Sequence, residues 1–295
     1  MAKMATATRS GTATVGGRSS EALPTRDRQM LREFLERDRL RAAYAVCDLD
    51  IKEFGRTKWG IALEGGEPIS VVLEYGGLTP QPLFVMGDSE GIAAILREVI
   101  KPRLVYLATD ESHLPAVARH YRIDPGPQMV RMVVNRQTFQ PLYGPVTRLS
   151  PTDIVDLNRL YGLGFAGWMP ADSIANGIYY GVRIAGRLVA AAGTHVISGE
   201  ARMAAVGNVM THHDFRGRGY AKATTSAVTQ ELLRMCDDVV LNVRSDNPPA
   251  LAAYTALGYH EHCRFEERLA HRGGGPWDSI VASIARVLLR SKEPN

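Results

Sequence analysis

Cysteine is scarce in this chain. Cys47, Cys236 and Cys263 are widely spaced and form no CxxC pair. An odd, sparse set argues against a disulfide framework and against a zinc site, so no metal is expected. It points instead to a reducing compartment, the cytoplasm. Long apolar runs are missing too: none approaches the ~20 residues that a membrane helix needs. Neither sign of charge dominates, with 35 basic residues against 31 acidic. No basic stripe stands out, so nucleic acid is not expected as a partner. The two commonest phosphate loops are also absent: there is no GxxxxGK followed by Ser or Thr, and no GxGxxG after a strand.

What is present fits a globular protein with room for two domains. Hydrophobic residues make up 45% of 295 and charged residues 22%. Residues 1–24 are rich in Ala, Thr, Ser, Gly and Arg and hold one acid, Glu21. That composition reads as a disordered tail, with some likeness to an organellar transit peptide. An amphipathic helix is expected over Arg26–Arg41. Apolar runs then predict strands at Ala43–Cys47, Trp59–Leu63, Ile69–Tyr75 and Leu83–Met86. A helix is predicted over Ser89–Ile100, a strand over Arg103–Ala108, a helix over Leu114–Tyr121 and a closing strand over Met129–Val134.

The second half repeats that order. Ser150 or Thr152 caps a helix through Leu160, and Ala171–Gly177 reads as helical. Tyr179–Ile184, Leu188–Ile197 and Met203–Thr211 form an antiparallel meander turned at Gly186 and Ser198-Gly199-Glu200. The domains expected are therefore a tail (1–24), an N-terminal domain (25–143), a second domain (144–271), and a linker with a terminal helix (272–295). His271 to Pro276 reads as the linker, and Ile280–Leu289 as a helix able to dock on either domain or on a second copy of the chain. The alternative for residues 25–143 is an unrelated α+β domain.

After the third strand of the meander comes Arg216-Gly217-Arg218-Gly219-Tyr220-Ala221, and then a helical pattern. A glycine-rich turn at a helix N-terminus exposes backbone N–H groups that have no intrahelical acceptor. With the helix dipole they attract phosphate, and glycine lets the backbone approach it. Downstream, the β-type run Val239–Val243 leads to Asn247, a good N-cap, then Pro248, Leu251, Tyr254, Leu257 and Gly258.

Arg-x-x-Gly-x-Ala, followed by strand, Asn, short Tyr-bearing helix and Leu-Gly-aromatic, resembles the GNAT superfamily of N-acetyltransferases. The likeness covers about residues 145–270 well and the N-terminal half weakly. It implies an α+β fold, with a mixed central sheet flanked by helices, in two tandem copies. In the first half the equivalent turn is Gly87-Asp88-Ser89-Glu90-Gly91. Its carboxylates would satisfy the helix N–H groups and repel pyrophosphate, so that half is expected to be degenerate.

The resemblance implies acetyl-CoA as co-substrate and a primary amine of a small molecule or peptide as acceptor. Arg216 to Ala221, including Tyr220, would hold the pyrophosphate. Val209, Met210 and Thr211 would pair with the pantetheine arm beside a bulged strand, and Asn247 would approach it. Gly207 and Asn208 are odd for a plain core strand, so they mark either that bulge or a simple bend. Tyr254 matches the family's tyrosine near the cofactor sulfur; its alternative is a core aromatic. The family's strand glutamate is missing, since Met203–Thr211 contains no acid. His195 is the substitute base, with Asn208 orienting it or the substrate; the alternative is a hydrogen-bonded core histidine. His212 and His213 are assigned no ligand role, because neighbours on a strand point to opposite faces. Phe165, Trp168 and Met169 are expected near the acceptor. Two other readings remain open. One is an acyl-CoA sensor or scaffold without turnover; the other is an acyltransferase using a larger acyl-CoA and an amino acid.

Overall fold

A computed structural model describes residues 12–15, 18–163 and 169–273. In chain order its elements begin with β1 (Thr12–Val15), β2 (Arg18–Thr25), α1 (Arg28–Leu35), α2 (Ala43–Cys47), α3 (Ile51–Phe54), β3 (Thr57–Glu64), β4 (Glu67–Tyr75) and β5 (Gln81–Gly87). Next come α4 (Ser89–Glu98), β6 (Leu104–Thr109), α5 (Leu114–Ala118), β7 (Tyr121–Ile123), β8 (Gln128–Asn135), β9 (Thr147–Arg148), α6 (Ile154–Tyr161) and α7 (Ala171–Ala175). The chain continues with β10 (Tyr180–Ile184), β11 (Arg187–Ser198), β12 (Met203–Thr211), α8 (Tyr220–Leu232), β13 (Asp238–Arg244), α9 (Pro248–Thr255) and β14 (His260–Arg272). No helix among the described residues is long and apolar enough to cross a membrane.

The chain divides into two compact units that are not contiguous in sequence. Among the described residues, the first takes those up to 37, 54–126 and 266–273; the second takes 38–53 and those between 127 and 265. The expected boundary at 143/144 is corrected accordingly. β8 was expected to close the first half. It belongs to the second unit, antiparallel to β13 from Met129↔Arg244 to Asn135↔Asp238. β13 is a strand buried on both faces, so it needs a partner on each edge, and β8 supplies the one opposite β12. The tail reading of residues 1–24 is corrected in part, since β2 pairs with β3 from Ser20↔Glu64 to Thr25↔Trp59.

In the first unit β2, β3, β4 and β5 run antiparallel, β5 and β6 run parallel, and Glu266–His271 of β14 lines β6. Ile92, Ile95 and Leu96 of α4 pack on Ala62, Val72, Leu83 and Val105. Their i, i+3, i+4 spacing is the apolar stripe of a helix laid on a sheet. His271 and Arg272, expected as linker, are the last pairs of β14, opposite Arg122 and Tyr121 of β7.

In the second unit β10, β11 and β12 form the expected antiparallel meander, and β12 runs parallel to β13. Val228 and Leu232 of α8 bury against Ala204, Val206, Val239 and Leu241. Residues 43–47 are a helix, α2, and not the expected strand. A five-residue apolar run has no readable period, and here Ala43, Ala45, Val46 and Cys47 are buried around a helical turn while Tyr44 stays partly exposed. Phe165, Trp168 and the helix expected at 280–289 lie outside the described residues.

Candidate active site

The glycine turn stands where the motif placed it. Gly217 and Gly219 both have left-handed φ, 76° and 78°, and a Cβ on either would meet nothing within 4 Å. Conformation, not crowding, is therefore what requires glycine. Gly219 occupies the N-cap of α8, so no side chain caps the helix, and its first turn carries no acid. The N–H groups there have no side-chain cap, and the exposed Arg216 and Arg218 flank them. Tyr220 and Ala221, the first helical residues, are partly exposed.

The strand leading to this turn parts from its neighbour. β12 and β13 pair only from Met203↔Asp238 to Val206↔Leu241. Beyond that, β12 continues along β11 to Thr211, and β13 continues along β8 to Arg244. The β13-facing edge of Gly207–Thr211 is thus open. Val209 packs in the apolar cluster that also holds Val206, Val243 and Tyr254, residues on both sides of the opening. Met210 packs in a different cluster, with Tyr161, Tyr179 and Leu188. The Thr211 hydroxyl is buried with no partner among the described residues.

Two irregularities sit at the point of divergence. Gly193 pairs with Gly207 and Ala191 with Met210, so Asn208 and Val209 face the single residue Ala192. Asn208 has φ 53°. This is a bulge, and the simple bend is excluded. On β11, Thr194 pairs with Val206 and Val196 with Ala205, which leaves His195 as the extra residue. A Cβ at Gly207 would lie 2.2 Å from the His195 ring, and one at Gly193 would lie 2.1 Å from the Tyr179 ring. Each strand glycine is a floor for an aromatic ring.

His195 and Asn208 come together, as the sequence suggested. His195 Nε2 lies 3.2 Å from Asn208 Oδ1. His195 is exposed, not a core histidine. Three tyrosines that sequence reasoning missed complete the arrangement. Tyr44 Oη of α2 lies 2.9 Å from His195 Nδ1. Tyr179 Oη receives Asn208 Nδ2 at 3.2 Å and donates to the Thr194 carbonyl at 3.0 Å. Tyr161 Oη donates to the Asn208 carbonyl at 2.6 Å. The signal available in sequence was the two strand glycines, since Gly inside a strand marks a close approach. Nothing in sequence pointed to Tyr44, which arrives from 151 residues upstream of His195. Arg131 holds the chain there: its guanidinium donates to the carbonyls of Leu40 and Arg41 and lies 5.2 Å from the Tyr44 ring centre.

Asn247 caps α9, its Oδ1 accepting the Ala250 N–H at 3.2 Å. Tyr254 is 8% exposed and meets Tyr259 edge-on, with ring centres 6.2 Å apart. Its hydroxyl has no hydrogen-bond partner among the described residues. Burial pushes the phenol up to about 12, so it stays a donor at neutral pH.

His212, His213 and Asp214 bring three donor groups within 4.8 Å of one another. The two rings stack at 4.2 Å and do not face apart, because β12 ends at Thr211 and a 3-10 turn begins at His213. The reason given for dismissing them was therefore wrong. The site is nonetheless ill suited to a cation. Arg187 lies 2.7 Å from His212 Nε2, and the Asp214 N–H donates to Nδ1 at 3.3 Å. Burial, then Arg187, holds His212 below the usual histidine range.

Residues 179–269 match the family described as FR47-like protein. No protein of curated function matches the sequence. Among solved structures, a Drosophila protein is similar over 85% of this chain and 98% of its own, with TM-score 0.65 at 14% identity. A tandem GNAT protein from the clavulanic acid biosynthesis pathway is similar over 87% and 99%, with TM-score 0.52 at 12% identity. A GCN5-related N-acetyltransferase from Kribbella flavida is similar over 71% and 89%, with TM-score 0.53 at 18% identity. The chain has the mixed α+β fold of the GNAT acetyltransferases. The FR47-like match falls in the second half of the chain, within the second unit apart from its last few residues.

Proposed function

We propose that the chain is an N-acetyltransferase that moves the acetyl group of acetyl-CoA to a primary amine by direct attack. One observation carries this: an unfilled helix N-terminus lies at the end of a strand that parts from its parallel neighbour. The N–H groups from Gly217 to Ala221 suit a pyrophosphate, with Arg216 and Arg218 adding charge. The open edge of Val209–Thr211, with the Thr211 hydroxyl that has no partner among the described residues, suits the amides of a pantetheine arm. Asn247, the N-cap of α9, is the residue we assign to approach the same arm. When bound, acetyl-CoA supplies an activated acyl group on sulfur, so the protein has three tasks: orient the thioester, remove the amine's proton and stabilise the leaving thiolate.

The bulge at Asn208 frees backbone N–H from the ladder for the thioester carbonyl. Tyr254 serves the thiolate. A phenol that keeps its proton to about 12 donates a hydrogen bond to a thiolate but does not protonate it, since thiols lie near ~8.5. His195, oriented by Asn208, takes up the proton of the amine. The acceptor is a small amine or a peptide N-terminus.

Titration calorimetry with acetyl-CoA, followed by thiol release against glycine, ethanolamine, glucosamine, spermidine and tyramine, tests the reading. One equivalent bound with turnover on an amine supports it. Tight binding without turnover on any amine favours an acyl-CoA sensor, which the absence of an acid on β12 also favours. Faster turnover with a longer acyl-CoA and glycine would point to an amino-acid acyltransferase. No binding at all would sink every form of the proposal.

A further inference from the structure

The hydrogen bonds around His195 run in one direction only. Their far end is the Thr194 carbonyl, which cannot donate. Tyr179 must therefore donate to it, across 3.0 Å. With its proton committed, the Tyr179 oxygen can only accept, so the Asn208 group facing it at 3.2 Å is the amide nitrogen. That places the Asn208 amide oxygen toward His195, and an amide oxygen cannot donate. His195 Nε2 must therefore carry a proton and donate across 3.2 Å. In the neutral imidazole Nδ1 is then the acceptor, and Tyr44 donates to it across 2.9 Å. A single backbone carbonyl fixes the tautomer of the histidine and the orientation of four side chains.

The consequence for chemistry is specific. Both ring nitrogens of His195 are engaged by protein groups, and the basic one, Nδ1, lies behind the Tyr44 hydroxyl. We infer that the Tyr44 oxygen takes the proton of the attacking amine, with His195 as that proton's destination. The inference rests on the acetyltransferase reading above. As the nitrogen–carbon bond forms, one amine proton passes to the Tyr44 oxygen, and Tyr44's own proton passes to Nδ1. The carbon–sulfur bond breaks with its electron pair left on sulfur, where Tyr254 hydrogen-bonds it and water protonates it. The imidazolium then has Tyr44 and Asn208 as acceptors on its two N–H groups, so its charge forms without an unpaired donor. It returns its extra proton to water through Tyr44.

The same geometry explains why His195 and Asn208 are both extra residues in their strands. The Asn208 bulge that frees backbone for the thioester also supplies the amide that orients the ring. The segment leading into α2, which carries Tyr44, is fixed independently, by Arg131 on the carbonyls of Leu40 and Arg41.

Nitrogen-15 NMR of the full wild-type chain without acetyl-CoA reads the His195 tautomer and needs no variant. The expected state is Nε2–H with Nδ1 accepting. Y44F should move the Nδ1 resonance toward that of an unbonded imidazole nitrogen. It keeps the ring under Arg131, so acetyl-CoA affinity by calorimetry should stay within about twofold. Its kcat on whichever of glycine, ethanolamine, glucosamine, spermidine or tyramine is turned over should fall at least about tenfold. An Nδ1–H tautomer in the wild type overturns the relay. So does a Y44F chain with unchanged kcat beside a His195→Ala chain that has lost it; in both cases the transferase reading survives. A wild-type chain that binds acetyl-CoA but acetylates none of the five amines overturns the relay together with the transferase reading.

Discussion

Two helix N-termini in this protein follow a sheet strand through a glycine turn, and only one is open. At α8 the N-cap is Gly219, which offers no side chain, and the space over Gly217 and Gly219 is empty. At α4 the N-cap is Asp88, whose carboxylate accepts the N–H groups of Glu90 and Gly91 at 2.9 and 3.1 Å. Its glycines are crowded: a Cβ at Gly87 would lie 2.2 Å from the Ile69 carbonyl, and one at Gly91 would lie 2.4 Å from Ser70 Oγ. Glycine in the second unit leaves room for a ligand. Glycine in the first lets a helix settle onto a strand. The strands differ in the same sense. β5 pairs with β4 without interruption from Ser70↔Gly87 to Glu74↔Leu83, whereas β12 is bulged against β11 at Asn208. At α4 the helix end is closed by the protein's own atoms, and at α8 it is not.

The comparison breaks most sharply at Gly219. Gly219→Asp places a carboxylate where the first unit has one, and acetyl-CoA binding should weaken at least about a hundredfold, or ~2.7 kcal/mol. Gly219→Asn is the control, because Asn tolerates a left-handed φ equally well and carries no charge. Calorimetry on both variants separates charge from backbone strain. If the Asn variant loses as much as the Asp variant, repulsion is not what distinguishes the two helix ends.

His195→Ala should lower kcat about a hundredfold with little change in acetyl-CoA affinity, since the ring belongs to β11 and not to the strand edge that parts from β13. Steady-state kinetics with saturating acetyl-CoA reads this directly. Gly207→Ala should act the same way more mildly, because its methyl displaces the ring that rests on it. An alanine at 207 that leaves kcat intact would mean that the ring's position does not matter.

How much of this was legible in sequence follows from the range of the interactions involved. The turn at 216–221, the Asn247 cap and the meander are local, and local periodicity and turn chemistry reveal them. Asp88 as a self-capping residue was legible for the same reason. The partition of the chain was not. Segment 38–53 joins the second unit through the packing of α2 on β11 and β12, and the segment from Glu266 joins the first through strand pairing with β6 and β7; no local pattern encodes either. Tyr44 was hidden twice, inside an apolar run too short to show its period and 151 residues from its partner. The bulge residues were visible only as misfits, Gly207 and Asn208 in an otherwise apolar strand.

Tyr254→Phe should lower kcat about tenfold and raise the acetyl-CoA KM less, because the hydroxyl is needed chiefly as the thiolate departs. Burial keeps this phenol protonated to about 12. No loss of activity from its ionisation should then appear between pH 6 and about 10, where a solvent-exposed tyrosine would already titrate. A basic limb present in the wild type and absent from the Phe variant would show that Tyr254 ionises earlier and acts as an acid.

The smallest effect expected is at Asp88, and it tests whether the first unit is closed by charge alone. Asp88→Ala removes the cap of α4 and should cost about 1 kcal/mol of stability, read as a lower midpoint of urea unfolding. It also frees the N–H groups of Glu90 and Gly91. If the carboxylate were the only obstacle, a second equivalent of acetyl-CoA would then bind. Calorimetry should still count one. Glu90 remains in the first turn, paired with Arg119 at 2.6 Å. The backbone at Gly87 and Gly91 still lies against Ile69 and Ser70, so the helix N-terminus stays pressed onto β4. A second equivalent in the Asp88→Ala chain would mean that one side chain separates a degenerate half from a working one. A count that stays at one means that packing at the α4 helix end, and not the Asp88 carboxylate alone, keeps it closed to the cofactor.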